Sequence, residues 1–322
     1  MFGKNIKFKN FNIKKKFNKK KIFFNIYKNL VKERNEVILS LDKSYKDKFS
    51  KKIVKKLKKI NQVLLIGMGG SILGAKAIYN FLNSPKKKFT FIDNFSNIPL
   101  QNPKKKITVV ISKSGNTLET IANLNLYLNK KDKNIIITEK KSNNLNILAK
   151  KLKSEIIEHN NYIGGRYSVL SEVGMVPALL MGLDEKKFKQ FNNLIKNKIF
   201  VKKLIHNVEQ TLYFSKKKFN SIILNYDEKS EDLFKWYQQL IAESLGKKSK
   251  GFLPAISLMP KDNHSLAQFY LDGPKNNFYT FFSVKDNNQV FLFNGWTFAS
   301  SPTLKSIDHP IYDLWITSCE NI

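Results

Sequence analysis

Apolar positions are distributed along the chain in two ways, and the switch between them predicts where helices give way to strands. Over residues 28–60, Leu30, Val31, Val37, Ile38, Leu39, Leu41, Phe49, Ile53, Val54 and Leu57 recur at helical intervals. At Gln62 the pattern changes. Val63-Leu64-Leu65-Ile66 is a short, continuous and partly β-branched run that leads into Gly67-Met68-Gly69-Gly70-Ser71 and a helical pattern through Leu82. Strand, glycine turn and helix in that order predict a βα unit of a parallel sheet. Further strands are expected at 89–92, 107–111 and 134–138, with helices around 71–83, 117–129 and 143–153. Residues 171–211 have helical spacing around a turn at Gly182-Leu183-Asp184. A second alternating series follows: strand 221–224, helix 229–245, strand 252–258, helix 264–271 and strand 278–284. The expected fold class is therefore α/β, two doubly wound α/β/α domains with parallel sheets plus an N-terminal helical arm. Its expected bounds are 1–55 for the basic arm, 56–200 for the first domain, 201–300 for a smaller second domain and 301–322 for a tail.

Composition narrows the picture in a few places. The 322 residues are 42% hydrophobic and 12% aromatic, enough to fill a core and too much for a disordered chain. The net charge of +32 on its own points toward nucleic acid or an anionic surface. Only Arg34 and Arg166 are arginines, however, and the lysines are spread through most of the chain beside Asn, Ile and Phe, which fits compositional drift. A dedicated nucleic-acid binder gathers its charge on one module and favours arginine forks, so no specific nucleic-acid partner is expected. Lysines interrupt every apolar stretch of residues 1–30, which excludes a membrane helix there and predicts a solvated arm. Cys319 is the single cysteine, so no disulfide is expected and a reducing, cytoplasmic setting follows. No His, Asp and Glu cluster has metal-ligand spacing, and no metal or cofactor is expected.

Two strand-to-helix turns carry candidate binding chemistry. In Gly67–Ser71, glycines allow close backbone approach, and a helix N-terminus with Ser71 beside it favours an anion. The same residues equally fit a tight turn with a serine cap. They lack the Gly-Lys-Ser/Thr ending of a nucleotide-binding P-loop, and Ile72 replaces the last glycine of the dinucleotide fingerprint. In Ser112-Lys113-Ser114-Gly115-Asn116-Thr117-Leu118-Glu119-Thr120, hydroxyls and an ammonium share a turn with no carboxylate before Glu119. A phosphate monoester suits that set of donors. Gly164-Gly165-Arg166-Tyr167-Ser168 holds one of the two arginines, a planar, permanently charged fork suited to developing negative charge. Along the helix containing Trp236–Lys247, Gln239 and Glu243 are four apart on one face. Gly246 is expected to end that helix, placing Glu243 near its negative pole, where ionisation is opposed.

These motifs together resemble those of the glucose-6-phosphate isomerase family, which is built on sugar isomerase (SIS) domains. SKSGNTLET is similar to the phosphate loop of SIS domains, GMGGS to the family's first glycine loop, GGRYS to a family signature, and QQLIAESLGK to the segment bearing its catalytic glutamate. The resemblance implies reversible aldose–ketose isomerisation of a sugar phosphate through an enediolate, without a cofactor. It implies phosphate and sugar contacts from Gly70, Ser71, Ser112, Lys113, Ser114, Thr117 and Gln239, with Glu243 as base and Arg166 steadying the intermediate. His264, in Asp262-Asn263-His264-Ser265, is similar to a histidine that assists ring opening from a neighbouring subunit, implying a homodimer. His159 and His206 lie in no motif. The chain departs from the family near its end. Asp308-His309-Pro310 is similar to the start of a C-terminal segment, but His309 stands where the family has Gln, and Ile316 where it has a lysine. Another SIS-domain sugar-phosphate isomerase is the alternative within the same fold, and this departure leaves open a catalytically lapsed sugar-phosphate-binding homologue.

Overall fold

The computed structural model describes residues 6–9, 19–57, 59–82, 87–95, 105–129, 132–285, 290–297, 307–308 and 313–314. His309 and Ile316 lie outside them. In chain order the N-terminal part, expected to be a helical arm, gives first a strand, β1 (Ile6–Lys9), and then α1 (Lys20–Lys32), α2 (Glu36–Ser40) and α3 (Lys51–Lys56). The first alternating series gives β2 (Gln62–Gly67), α4 (Leu73–Leu82), β3 (Lys88–Ile92), β4 (Ile107–Ile111), α5 (Leu118–Tyr127), β5 (Lys133–Thr138), α6 (Asn144–Leu152) and β6 (Glu155–Glu158). Then come α7 (Glu172–Leu180), α8 (Phe191–Lys196), α9 (Lys198–Ser215), β7 (Asn220–Asn225), α10 (Glu231–Leu245), β8 (Leu253–Leu258), α11 (Ala267–Asp272), β9 (Asn277–Lys285) and β10 (Val290–Thr297). The chain divides into two compact units. One comprises 33–192 with 232–240, the other 1–32, 193–231 and 241–322.

The first unit is built on a five-stranded sheet of order β3-β2-β4-β5-β6, parallel throughout. Its central strands are apolar on both faces because helices cover both. Val63, Leu65, Val109, Ile111, Ile135 and Ile137 face a core completed by Ala75 and Ile78 of α4 and by Val173 and Val176 of α7. Leu64, Ile66, Val110 and Ile136 face the opposite core, with Leu124 of α5 and Leu145 and Ala149 of α6. Each buried aliphatic side chain contributes about 1.5–3 kcal/mol. The helix following β2 thus lies on one face and the helix following β4 on the other. Because β2 and β4 are neighbours, the strand order reverses between them, and sheets of this kind place a ligand at the carboxyl ends of the strands flanking such a reversal.

The expected run of helix over 28–60 is broken where polar partners capture the chain. Asn35 caps α2 by accepting a 3.0 Å hydrogen bond from Ile38 N–H, and residues 41–50 run without regular helix. That stretch is fastened by buried Glu172, which accepts from Lys48 N–H at 2.9 Å and from the Tyr45 hydroxyl at 3.2 Å. Burial pushes the Glu172 carboxyl above its ordinary range. Asp47 meanwhile accepts from the buried Lys189 ammonium at 2.7 Å. The edge strand β6, Glu-Ile-Ile-Glu, carries too little apolar pattern to be anticipated.

The second unit holds a sheet of order β1-β10-β9-β7-β8. Its pairs are parallel except β9 with β10, which is antiparallel. Phe214, Phe252 and Phe278 form a core on one side, and Ile222, Leu224, Tyr279 and Phe281 form another. In this unit α1 adjoins α9, where Lys19 N–H donates to Glu209 at 3.3 Å. No described helix is long and apolar enough to cross a membrane.

Candidate active site

The two turns expected to bind an anion flank the reversal between β2 and β4. At the end of β2, Gly67 pairs with Ile111, the last residue of β4. Gly69 has φ +52°, which a glycine adopts without strain, and residues 69–71 form a 3-10 turn leading into α4. Ile72, in the place of a third fingerprint glycine, is fully buried in the core.

At the end of β4 the chain turns through Ser112–Thr117. The buried Ser112 hydroxyl lies 2.9 Å from the Thr117 hydroxyl and accepts from Gly115 N–H at 3.2 Å. Ser114 is 3.5 Å from the same threonine and accepts from Asn116 N–H at 3.2 Å. Gly115 has φ +68°, and a side chain there would collide with Asn143. Thr117 occupies the N-cap position of α5 without bonding its side chain to the helix. The first turn of α5 therefore keeps N–H donors and positive dipole for an outside anion, and three hydroxyls gather beside it.

Lys113 behaves differently from its neighbours. Its ammonium donates to the carbonyls of Asn161 at 2.8 Å and Ile163 at 3.1 Å, and lies 3.6 Å from Glu139. Glu139 is a carboxylate that no motif singles out, and it follows β5 just as Ser112 follows β4. Burial pushes its carboxyl up, but the hydrogen bond and charge of Lys141, and then those of Lys113, outweigh that and hold it below the ordinary range. Its position directly after a predicted strand was the available signal.

The loop receiving the Lys113 ammonium is the one that carries Arg166. Residues 165–170 form a 3-10 turn, and the Arg166 guanidinium lies 4.5 Å from the centre of the Tyr167 ring. This turn and the first glycine loop meet backbone to backbone. A Cβ on Gly70 would stand 2.2 Å from the Gly165 carbonyl carbon and 2.6 Å from Arg166 N. From α10, Trp236 Nε1–H donates to the Arg166 carbonyl at 3.0 Å. Gln239, one helical turn later, approaches the same glycine loop, for a Cβ on Gly69 would lie 2.8 Å from its Nε2. Asn80 of α4 donates to Asp232 and fixes the start of α10.

The structure thus sets Gly70 against the backbone of Gly165 and Arg166, and Gln239 of α10 beside Gly69, and Lys113 joins the Ser112 turn to the Arg166 loop. Ser71 stands at the head of α4. Glu243 is exposed one turn beyond Gln239 on the same face of α10, and Gly246 caps that helix as expected, donating its N–H to Ala242 at 2.8 Å. His264 is exposed in the turn after β8. There Asp262 accepts from Ser257 at 2.9 Å and from Leu258 N–H at 2.7 Å. His159, assigned no role from sequence, is fully buried, with Nδ1 3.0 Å from the Asn160 carbonyl.

A family model described as phosphoglucose isomerase matches residues 18–252, and one described as an uncharacterized protein conserved in bacteria matches 270–319. The chain is 36% identical over 291 residues to a glucose-6-phosphate isomerase of Methanocaldococcus jannaschii, covering 82% of this chain and 70% of that protein. It is 31% identical over 268 residues to one from Mycoplasmopsis synoviae, covering 74% and 62%. Among solved structures, a hypothetical protein of Thermus thermophilus superposes with a TM-score of 0.67 at 22% identity, covering 82% of this chain and 70% of that one. A glucose-6-phosphate isomerase from Chlamydia trachomatis does so with 0.54 at 23%, covering 70% and 51%. Those two share the fold. The family match runs through both strand-to-helix turns, the Arg166 loop and the whole of α10, so the chain belongs to the phosphoglucose isomerase family.

Proposed function

We propose that this protein interconverts glucose 6-phosphate and fructose 6-phosphate through a cis-enediolate. One observation carries the reading: a hydroxyl-rich turn with an uncapped helix N-terminus sits at the sheet's switch point, and Lys113 bonds it to the loop bearing Arg166. The phosphoryl group is held by the N–H groups at the start of α5 with Ser112, Ser114 and Thr117, and the sugar extends toward Gly70, Ser71 and Gln239. Glu243 removes the C2 proton of the open-chain aldose and returns it to C1, while Arg166 steadies the negative oxygens of the enediolate. His264 assists ring opening. Its exposure in a single chain fits delivery to the site of a second copy, so the working form is a homodimer, and the setting is cytoplasmic.

The chain spans only part of the length of its relatives, and Ile316 stands where the resemblance places a lysine. That substitution favours, as a second reading, a homologue that binds sugar phosphate without turning it over. A coupled assay on fructose 6-phosphate separates the two. The proposed reading expects turnover by the parent and a loss of about 10³-fold or more in Glu243→Gln, with 6-phosphogluconate binding retained. Binding of 6-phosphogluconate by a parent protein that shows no turnover supports the second reading and sinks the first.

A further inference from the structure

We propose that Lys113 is a positioning residue that holds the Arg166 loop in register with the phosphate turn, and that its ammonium does not bind the substrate's phosphoryl group. This rests on the isomerase reading and assigns one lysine of that site a different task. An ammonium has three N–H donors. In Lys113 they face the Asn161 carbonyl, the Ile163 carbonyl and the Glu139 carboxylate. Both ends of the link are rigid. At one end, the Lys113 carbonyl accepts from Glu139 N–H at 3.1 Å and from the Thr138 hydroxyl at 3.3 Å, which locks its backbone to the end of β5. At the other, Ile163 is fully buried and donates its N–H to Asn160, and Gly164, Gly165 and Arg166 follow directly.

Electrostatics point the same way. Glu139, largely buried, attracts the Lys113 ammonium at 3.6 Å and pairs with Lys141 as well. Turning the ammonium toward the Ser112 hydroxyl would abandon two carbonyls and leave that carboxylate with Lys141 alone. Anion binding then falls to the α5 N–H groups and the hydroxyls, and Lys113 sets where the Arg166 loop stands relative to the anchored phosphoryl group. A shift of about 1 Å in such a loop costs on the order of 100-fold in rate.

The test uses the full chain, inorganic phosphate as the binding probe, and fructose 6-phosphate turnover. In Lys113→Met the phosphate dissociation constant is expected to stay within about twofold, while kcat falls about 10- to 100-fold and KM moves by less than about threefold. Lys113→Arg, which keeps the charge and N–H donors for the two carbonyls, is expected to recover most of kcat. A phosphate constant weakened tenfold or more in Lys113→Met with kcat retained makes the lysine a phosphate ligand and overturns the proposal, and so does an unchanged kcat. Should Lys113→Met not fold, a crystal structure of the parent with phosphate decides. Nζ within about 3.2 Å of both carbonyls supports positioning, and Nζ turned onto a phosphate oxygen refutes it. If the parent shows no turnover, the isomerase reading fails by itself, while the phosphate titrations and that structure still report on Lys113.

Discussion

Replacing Gly70 by alanine adds one methyl group at the point where two functional loops touch. The new Cβ would lie 2.2 Å from the Gly165 carbonyl carbon, 2.4 Å from its oxygen and 2.6 Å from Arg166 N, where ordinary contact begins at 3.4 Å. These are backbone atoms, and no side chain can rotate out of the way. The loops must therefore separate by about 1 Å, carrying Arg166 with them. Overpacking of this kind costs about 1–3 kcal/mol, or about 2–4 °C in Tm for each kcal/mol in a unit of this size. The catalytic effect is expected to be larger, a fall of about 100-fold in kcat/KM, because the displaced loop holds the guanidinium. Gly165→Ala is the matched control. A Cβ there meets nothing nearer than the Gly70 Cα at 3.9 Å, so its stability and kcat/KM should change by less than about twofold. Steady-state kinetics on fructose 6-phosphate and thermal melts of both variants measure this. A Gly70→Ala protein within about threefold of the parent, or a Gly165→Ala protein equally damaged, would refute the steric account of this contact.

Two further outcomes follow from the site. Ser112→Ala removes the hydroxyl that faces Thr117 and Gly115 N–H, and inhibition by inorganic phosphate should weaken about tenfold, the equivalent of one charge-assisted hydrogen bond; an unchanged inhibition constant would remove Ser112 from the phosphate turn. His159 is held below its ordinary range, first by burial and then by the nearby Lys113 and Lys48 charges, against the opposing Asn160 carbonyl and Glu139. The folded state thus binds fewer protons than the unfolded one. Stability should fall as pH drops below about 6.5, by at most about 1.4 kcal/mol per pH unit from this group, until the folded imidazole itself titrates. Denaturant melts between pH 5 and 7.5 should show that slope reduced in His159→Gln, the difference between the proteins isolating the histidine from other titrating groups, and identical slopes would refute it.

Much of the secondary structure was determined by local pattern. The apolar runs of β2, β4 and β5, the glycine and hydroxyl turns that follow two of them, and the stop of α10 at Gly246 depend on near neighbours in the chain, and near neighbours set dihedral preference, capping and burial periodicity. Tertiary structure alone decided which turns face each other. The strand order put the β2 and β4 turns side by side, and long-range packing joins residues 232–240, distant in sequence, to the first unit. It made Gly70 obligatory by setting Gly165 against it, a requirement invisible at either position alone. It also gave the Lys113 ammonium the Asn161 and Ile163 carbonyls as acceptors and brought Glu139 up to it from the end of the adjacent strand. Residue type fixes what a group can offer, but the partner that takes the offer is chosen by long-range register, and no local spacing encodes that register.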